Sequence, residues 1–456
     1  MASLQGRLFG TNGVRFIPGV SADLEFVIKF AECIGSYFSE GDVLVGRDGR
    51  VSGEAVSLAL TSGLMSSGRD VAEAGIVPTP ALQYATKALG FRGGVMATAS
   101  HNPAEYNGLK VVGADGVEIN RLDEQKVEKI FHDGSFRRAN WKDVGESRME
   151  PSVIRTYLNG ILSKVNDRLI SGRKFSVVLD PGNGAQCLAA PYLLDALGCK
   201  IVTIHSVLDG GFPGRGPEPT PENLGDLSAA VRAAGADLGV AYDGDGDRAI
   251  FCDESGNVYW GDRSGSLLAD YLLERTPNAT IVTPISSSQA VEVVAAKRRG
   301  KVIRTRVGSV DVSRTMIERG AYFGFEENGG CIYPAHIAVR DGGMATALML
   351  ECLAARGLSF SKIMANAVPR FFQAKTKLHV SPDKVKETMR RIEAQGGQRL
   401  EKVDGLKVWT DDRTWVLVRP SGTEPMIRVF AESDTEEKVN SVFKKYVRLV
   451  RSASAS

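Results

Sequence analysis

Three aspartates at alternate positions, Asp243, Asp245 and Asp247, are separated by glycines and followed by Arg248. Glycines let the backbone fold tightly enough to turn three carboxylates onto one point, which suits a hard, oxygen-seeking cation. Without a cation, that concentration of charge is electrostatically costly. An EF-hand competes, because its loop also opens with alternating acids. Arg248, however, stands where that loop requires glycine, and Ala249-Ile250-Phe251-Cys252 reads as a strand. A solvated Asp/Gly turn stays open; Mg²⁺ beside a phosphate is the favoured reading.

A second reactive stretch is Thr98-Ala99-Ser100-His101-Asn102-Pro103, with Lys110 shortly after. A serine can carry a phosphoryl group when a base takes its proton and cations offset the charge, and His101 and Lys110 are the local candidates. Taken alone, the hexapeptide reads first as a polar turn set by Asn102-Pro103. The segment Arg419-Pro420-Ser421-Gly422-Thr423-Glu424-Pro425, with Arg428 behind it, has the makings of an anion cradle. Arginine supplies a planar fork, the hydroxyls donate, and Gly422 admits backbone N–H groups. A surface turn explains it equally well. Glu326 and Asn328 sit in an acidic turn able to meet sugar hydroxyls. Arg15, Arg47 and Arg50 lie near predicted strand ends, and local carboxylates could account for them.

These segments need positioning elements, and the pattern around them is α/β. Short apolar β runs alternate with helical spacing through the first 365 or so residues. Strands are predicted at 42–45, 94–97, 175–180, 200–204, 238–241, 280–283 and 322–325, and helices at 24–38, 53–67 and 225–234. Three Gly-containing β runs end in polar residues: 94–100, 239–243 and 323–326. Ligands collect at the carboxyl ends of strands in open α/β sheets, so these echoes suggest three similar domains facing one cleft. The last 90 residues differ. An extended run at 371–380, a helix at 382–394, a hairpin at 406–418 and a final helix opened by a Ser433/Glu436 capping box describe a small α+β domain. Residues 452–456 read as an unstructured tail. The expected limits are 1–149, 150–253, 254–366 and 367–456.

Bulk properties bound the function. The chain has 456 residues, 43% of them hydrophobic, with 56 Lys+Arg against 54 Asp+Glu. A net charge of +2 gives no global attraction to nucleic acid or an anionic membrane, so neither is an expected partner. No apolar run reaches the roughly 18 residues of a membrane span. Six cysteines without close pairing read as thiols in a reducing, cytoplasmic compartment. There is no Walker-type or dinucleotide fingerprint.

In order along the chain, the segments 9–15, 98–103, 243–248, 326–330 and 419–425 resemble the motifs of the α-D-phosphohexomutase family, most closely its archaeal branch. The resemblance implies three related mixed α/β domains plus a C-terminal α+β domain around a central cleft. It implies an isomerase that interconverts hexose 1- and 6-phosphates through a phosphoserine and a hexose 1,6-bisphosphate, the latter also an activator. By motif position, Ser100 is the phosphoserine. Ser100, Asp243, Asp245 and Asp247 would hold one Mg²⁺ per chain, and Arg15, His101, Lys110 and Arg248 would surround the transferring group. Glu326 and Asn328 would contact sugar hydroxyls, while Arg419, Ser421, Gly422, Thr423 and Arg428 would grip the other phosphate.

Many relatives carry serine and a final histidine in the sugar loop, where this chain has Asn328 and Gly330; Asn12 stands where aspartate is common. The archaeal likeness leans to glucosamine 6-phosphate and glucosamine 1-phosphate, with mannose and glucose phosphates as the alternative. A metal-dependent sugar-phosphate phosphohydrolase and a non-catalytic phosphosugar-binding protein are the rivals from other classes. Monomer and homodimer are both open.

Overall fold

The computed structural model describes residues 7–10, 12–421 and 425–455. Among them, the first three sheets share one motif. In the first, Val43–Arg47 pairs in parallel with Val71–Ile76 on one side and Gly93–Ala97 on the other, and Gly93–Ala97 pairs antiparallel with Asn107–Gly113. The second repeats this with Ser176–Asp180, Lys200–Thr203, Leu238–Tyr242 and Ala249–Asp253. The third does so with Thr280–Pro284, Lys301–Thr305, Phe323–Phe325 and Cys331–Tyr333. The faint repeat in the sequence is therefore topological. In each unit, a polar loop joins the parallel strand to its antiparallel neighbour: 98–106, 243–248 and 326–330.

These strands read as unbroken apolar runs because helices cover both faces of each sheet. Gly93–Ala97, Leu238–Tyr242 and Ala249–Asp253 are buried at every position. The helix Leu24–Phe38 shows how a covering element is made. Asp23 caps it by accepting from the Phe26 N–H at 2.9 Å, and Val27, Phe30, Ala31, Ile34 and Phe38 form its buried stripe. One apolar cluster then runs through all three units, joining Leu82 and Met96 to Leu179 and Val240 and on to Leu268 and Phe325.

The fourth sheet is antiparallel, in the order 372–379, 426–433, 414–420, 406–411 and 399–401. Its core is its own, built from Val408, Val416, Val418, Val429 and the stripe Val439, Val442, Tyr446 and Val450 of the last helix.

Two expectations are corrected. The last helix begins at Glu436, and Ser433 instead ends the strand Met426–Ser433 with its hydroxyl against Thr414 at 2.8 Å; Thr435 accepts from the Lys438 N–H in its place. That helix continues to Ala455, so 452–455 is not an unstructured tail. The second sheet also takes in Val258–Tyr259, which pairs with Ala249–Asp253.

Candidate active site

The loops after the first and second parallel strands meet face to face. Ser100 is fully buried and left-handed at φ 52°, a conformation a non-glycine residue holds only when its surroundings enforce it. Arg50 is what enforces it. Its guanidinium donates to the carbonyls of Ser100 (2.7 Å), Asn102 (2.7 Å), Pro103 (2.6 Å) and Tyr106 (2.9 Å) while Nε holds Asp48 at 3.1 Å. Asp48 accepts from Thr98 Oγ1 at 2.6 Å in turn. The Ser100 hydroxyl thereby donates to Asp243 Oδ2 at 2.8 Å.

Asp243, Asp245 and Asp247 converge as the alternating spacing implied: one oxygen from each lies within 4.8 Å of the others. The close approach depends on Gly244, since a Cβ there would stand 2.7 Å from the Ser100 carbonyl oxygen. Burial, then Asp247 and Asp245, push the Asp243 carboxyl well above the usual range. Burial would raise Asp245 too, but Lys110 at 2.8 Å and the Thr79 hydroxyl at 2.6 Å overcome it and hold Asp245 low. Asp245 Oδ1 and Asp247 Oδ1 are buried with no donor among the described residues. Buried carboxylate oxygens left without donors on two of three converging aspartates fit a hard divalent cation.

Cations ring the trio. Lys110 also reaches Asp247 at 3.1 Å, and although burial opposes its charge, Asp245, Asp247 and Glu118 keep its ammonium protonated beyond the ordinary range. Lys110 therefore rests protonated beside the trio. Arg248 Nε lies 3.8 Å from both Asp243 and Asp247, and its Nη2 sits 2.9 Å from His101 Nδ1. An arginine can only donate, so that nitrogen accepts. Burial and then Arg248 and Arg15 drive the His101 imidazole well below its usual pKa, leaving it neutral, 3.4 Å from the Ser100 hydroxyl. Arg15 holds Asn102, and burial with Arg248 lowers its guanidinium to about 10.

Beyond Arg248 opens a cavity of about 470 Å³, a size suited to a small polar ligand. Glu326 and Asn328 line one wall and Arg428 and Lys377 the other. Asn328 Oδ1 closes its own turn by accepting from the Gly330 N–H at 3.2 Å. On the C-terminal sheet, Lys377 pairs across strands with Arg428, and Arg428 with Arg419. Three cations thus stand side by side on one face. Like charges so placed repel, and an anion relieves them. Arg419 is anchored by Asp404 at 2.5 Å and Ser421 donates its N–H to the Met426 carbonyl at 2.8 Å. Gly422 and Thr423 lie outside the described residues.

Family models for phosphoglucomutase/phosphomannomutase match four successive stretches: domain I over residues 6–138, domain II over 155–256, domain III over 260–371 and the C-terminal domain over 375–449. The chain belongs to the phosphoglucomutase/phosphomannomutase family. It is a phosphohexomutase, an isomerase-type enzyme. The mutase is 42% identical to a phosphoglucomutase/phosphomannomutase of Thermococcus kodakarensis, covering 98% of this chain and 99% of that one. It is 43% identical to a phosphoglucosamine/phosphogalactosamine mutase of Sulfurisphaera tokodaii over the same shares. A crystal structure of a family protein from Burkholderia thailandensis superposes with a TM-score of 0.87 at 27% identity, covering 98% of this chain and 97% of that one.

Sequence reasoning missed several residues of the mutase's centre. Arg50 was legible as an arginine near a strand end but not as the clamp of the Ser100 loop. Thr79, Glu118 and Arg340 come from outside every motif, and Lys377 gave no signal beyond its place in an extended run.

Proposed function

We propose that Ser100 carries the phosphoryl group and exchanges it with the C1 and C6 oxygens of a hexose phosphate, glucosamine phosphate being the preferred sugar. The observation that carries this reading is the Ser100 hydroxyl, held 2.8 Å from Asp243 inside a ring of buried cations. Phosphorylated Ser100 gives its group to the free hydroxyl of a hexose monophosphate: the Ser100 Oγ–P bond breaks as the sugar O–P bond forms, and the hydroxyl proton ends on Ser100 Oγ. The resulting 1,6-bisphosphate turns end for end, and its other phosphate returns to Ser100 as the sugar oxygen regains a proton. Asp243, Asp245 and Asp247, with an oxygen of the serine phosphate, would hold Mg²⁺, which when bound offsets charge on the transferring group.

This chain's own residues supply the rest. Arg15, Arg248 and protonated Lys110 offset the phosphate's charge without reorganising. Neutral His101, its Nδ1 turned to Arg248, orients that arginine beside the serine. Glu326 and Asn328 meet sugar hydroxyls. Arg419, Ser421 and Arg428, with Gly422 and Thr423, hold the phosphate that is not moving, and Lys377 joins them. An amino sugar is supported by the name of the Sulfurisphaera tokodaii relative. The Thermococcus kodakarensis name supports glucose and mannose phosphates as further substrates. The same reading takes the enzyme as a cytoplasmic monomer or homodimer. Its domains divide after 149, 253 and 366. No described helix is long and apolar enough to cross a membrane.

The test is a panel of glucosamine, mannose and glucose 1-phosphates, each with and without a hexose 1,6-bisphosphate, alongside intact mass of the protein. The expected result is activation by bisphosphate, one phosphate on Ser100, and fastest turnover with the amino sugar. Steady release of inorganic phosphate, or turnover by a protein that never carries phosphate, would sink it.

A further inference from the structure

Arg340 ends the strand Ile337–Arg340 and enters the centre from a side that no sequence motif marks. It is buried, yet its guanidinium spans two of the three motif loops. Nη2 donates to Asp247 Oδ2 at 2.5 Å, and Nη1 donates to Glu326 Oε2 at 3.0 Å. The Asn12 amide completes the arrangement. Oriented to satisfy its neighbours, its oxygen accepts from Arg340 Nη2 at 2.7 Å and its nitrogen donates to Glu118 Oε2 at 2.5 Å and Ser309 Oγ at 3.0 Å. One side chain thus touches a loop from each α/β unit.

Two of the three unusual residues noted in the sequence, Gly330 and Asn12, adjoin this arginine. A Cβ at Gly330 would fall 2.3 Å from Arg340 Cδ and 2.8 Å from Cγ, so a side chain at 330 competes for the arginine's own path. The arginine cannot step aside cheaply, because its fork is pinned at both ends. At position 12, an aspartate would set a carboxylate against Glu118, whereas the amide donates to Glu118 and accepts from Arg340.

We propose that Arg340 is a positioning residue that couples the cation loop to the sugar loop, fixing the Asp247 and Glu326 carboxylates relative to each other through one rigid fork. The inference rests on reading Asp243, Asp245 and Asp247 as the cation site and Glu326 as a sugar ligand. A planar guanidinium can serve both carboxylates at once, while a lysine ammonium acts as a point charge and serves one well. The two loops then share a single cation: whatever Glu326 does not neutralise falls on Asp247.

The coupling is measurable without turnover, by Mn²⁺ binding to the full-length protein followed by electron paramagnetic resonance. Glu326→Gln should weaken Mn²⁺ binding about tenfold, because the Arg340 charge then bears fully on Asp247. In an Arg340→Lys background the same Glu326→Gln change should alter Mn²⁺ affinity less than about twofold, the signature of a broken link. Gly330→Ala keeps every functional group and should lower kcat by about tenfold with the fold kept by circular dichroism, which keeps the proposal testable if Arg340→Lys fails to fold. The proposal is overturned if Glu326→Gln leaves Mn²⁺ affinity unchanged, if its effect is equal in both backgrounds, or if Gly330→Ala turns over at the parent rate. A parent protein that binds no Mn²⁺, or binds it equally well after Asp245→Asn, would instead refute the cation site.

Discussion

On the proposed reading, the centre around Ser100 and the cationic face of the C-terminal sheet both receive phosphate, by different means. Around Ser100, charges are buried and already paired: Lys110 with Asp245, Arg340 with Asp247, Arg248 between Asp243 and Asp247. Three domains supply them, and one apolar cluster runs through those domains. On the C-terminal sheet, Lys377 is exposed, Arg428 and Arg419 are half-buried, and the three cations stand beside one another across strands, with Arg419 held by Asp404. That sheet has its own main core and meets the third domain through polar contacts such as Lys375 to Glu327 at 2.7 Å and Gln373 to Asp262 at 2.6 Å, together with a small apolar cluster of Ile285 with Trp409, Trp415 and Leu417. The difference teaches a division of labour. Charge stabilisation works best when the dipoles are fixed before reaction, whereas grip can sit on a part free to close and reopen.

Breaking the buried centre should have the largest effect. Ser100→Ala is expected to lower kcat by about 10⁴-fold or more and to abolish the protein's phosphate by intact mass, with the fold kept by circular dichroism. Asp245→Asn should cost about 10²-fold in kcat and raise the Mg²⁺ concentration for half-activation, measured by titrating Mg²⁺ at saturating sugar phosphate. An unchanged Mg²⁺ response would count against the trio.

Breaking the open face should read out differently. Arg428→Gln is expected to raise KM roughly tenfold through loss of a charge-assisted hydrogen bond, with kcat much less affected, and Lys377→Met should raise it about threefold. A fall in kcat as large as that for Asp245→Asn would erase the distinction between the two regions.

The smallest effect concerns the joint between them. Lys407 is buried against the Trp415 ring, its ammonium 3.9 Å from the centroid, and donates to the Ile285 carbonyl at 3.0 Å. Burial, then Arg304, lowers it from 10.5 to about 7. Between pH 7 and 10 the unfolded chain therefore binds more protons at this site than the folded one, so its contribution to stability rises with pH across that window. The melting temperature of the parent should climb relative to Lys407→Met from pH 7 to pH 9.5, by a few degrees in differential scanning calorimetry. A constant difference would show that Lys407 stays charged in the fold.

Much of this site was legible in the linear chain where chemistry is local. Asp243, Asp245 and Asp247 declare themselves because alternate carboxylates separated by glycine have few other uses, and Ser100 gained credibility from them. The helix Leu24–Phe38 and the strands that end in motif loops follow from apolar periodicity and a single cap. The Ser433 capping box failed because a tertiary partner, the Thr414 hydroxyl, claims that side chain in a strand. Lys110 was legible as an acid/base candidate, but the three carboxylates that surround its ammonium and favour its charged form were not.

By itself, the sequence determined the repeating α/β order, the loops that carry reactive groups, and the residue types within each loop. Those depend on neighbours a few positions away, which local sterics and periodicity control. Only the tertiary structure decided that Arg50 clamps the serine loop from 50 residues away, that Thr79 and Arg340 brace Asp245 and Asp247, and that Lys377, Arg428 and Arg419 align. Each such pairing joins elements distant in sequence, and burial is what makes it strong. An arginine near a strand end looks the same in the sequence whether it faces water or four carbonyls.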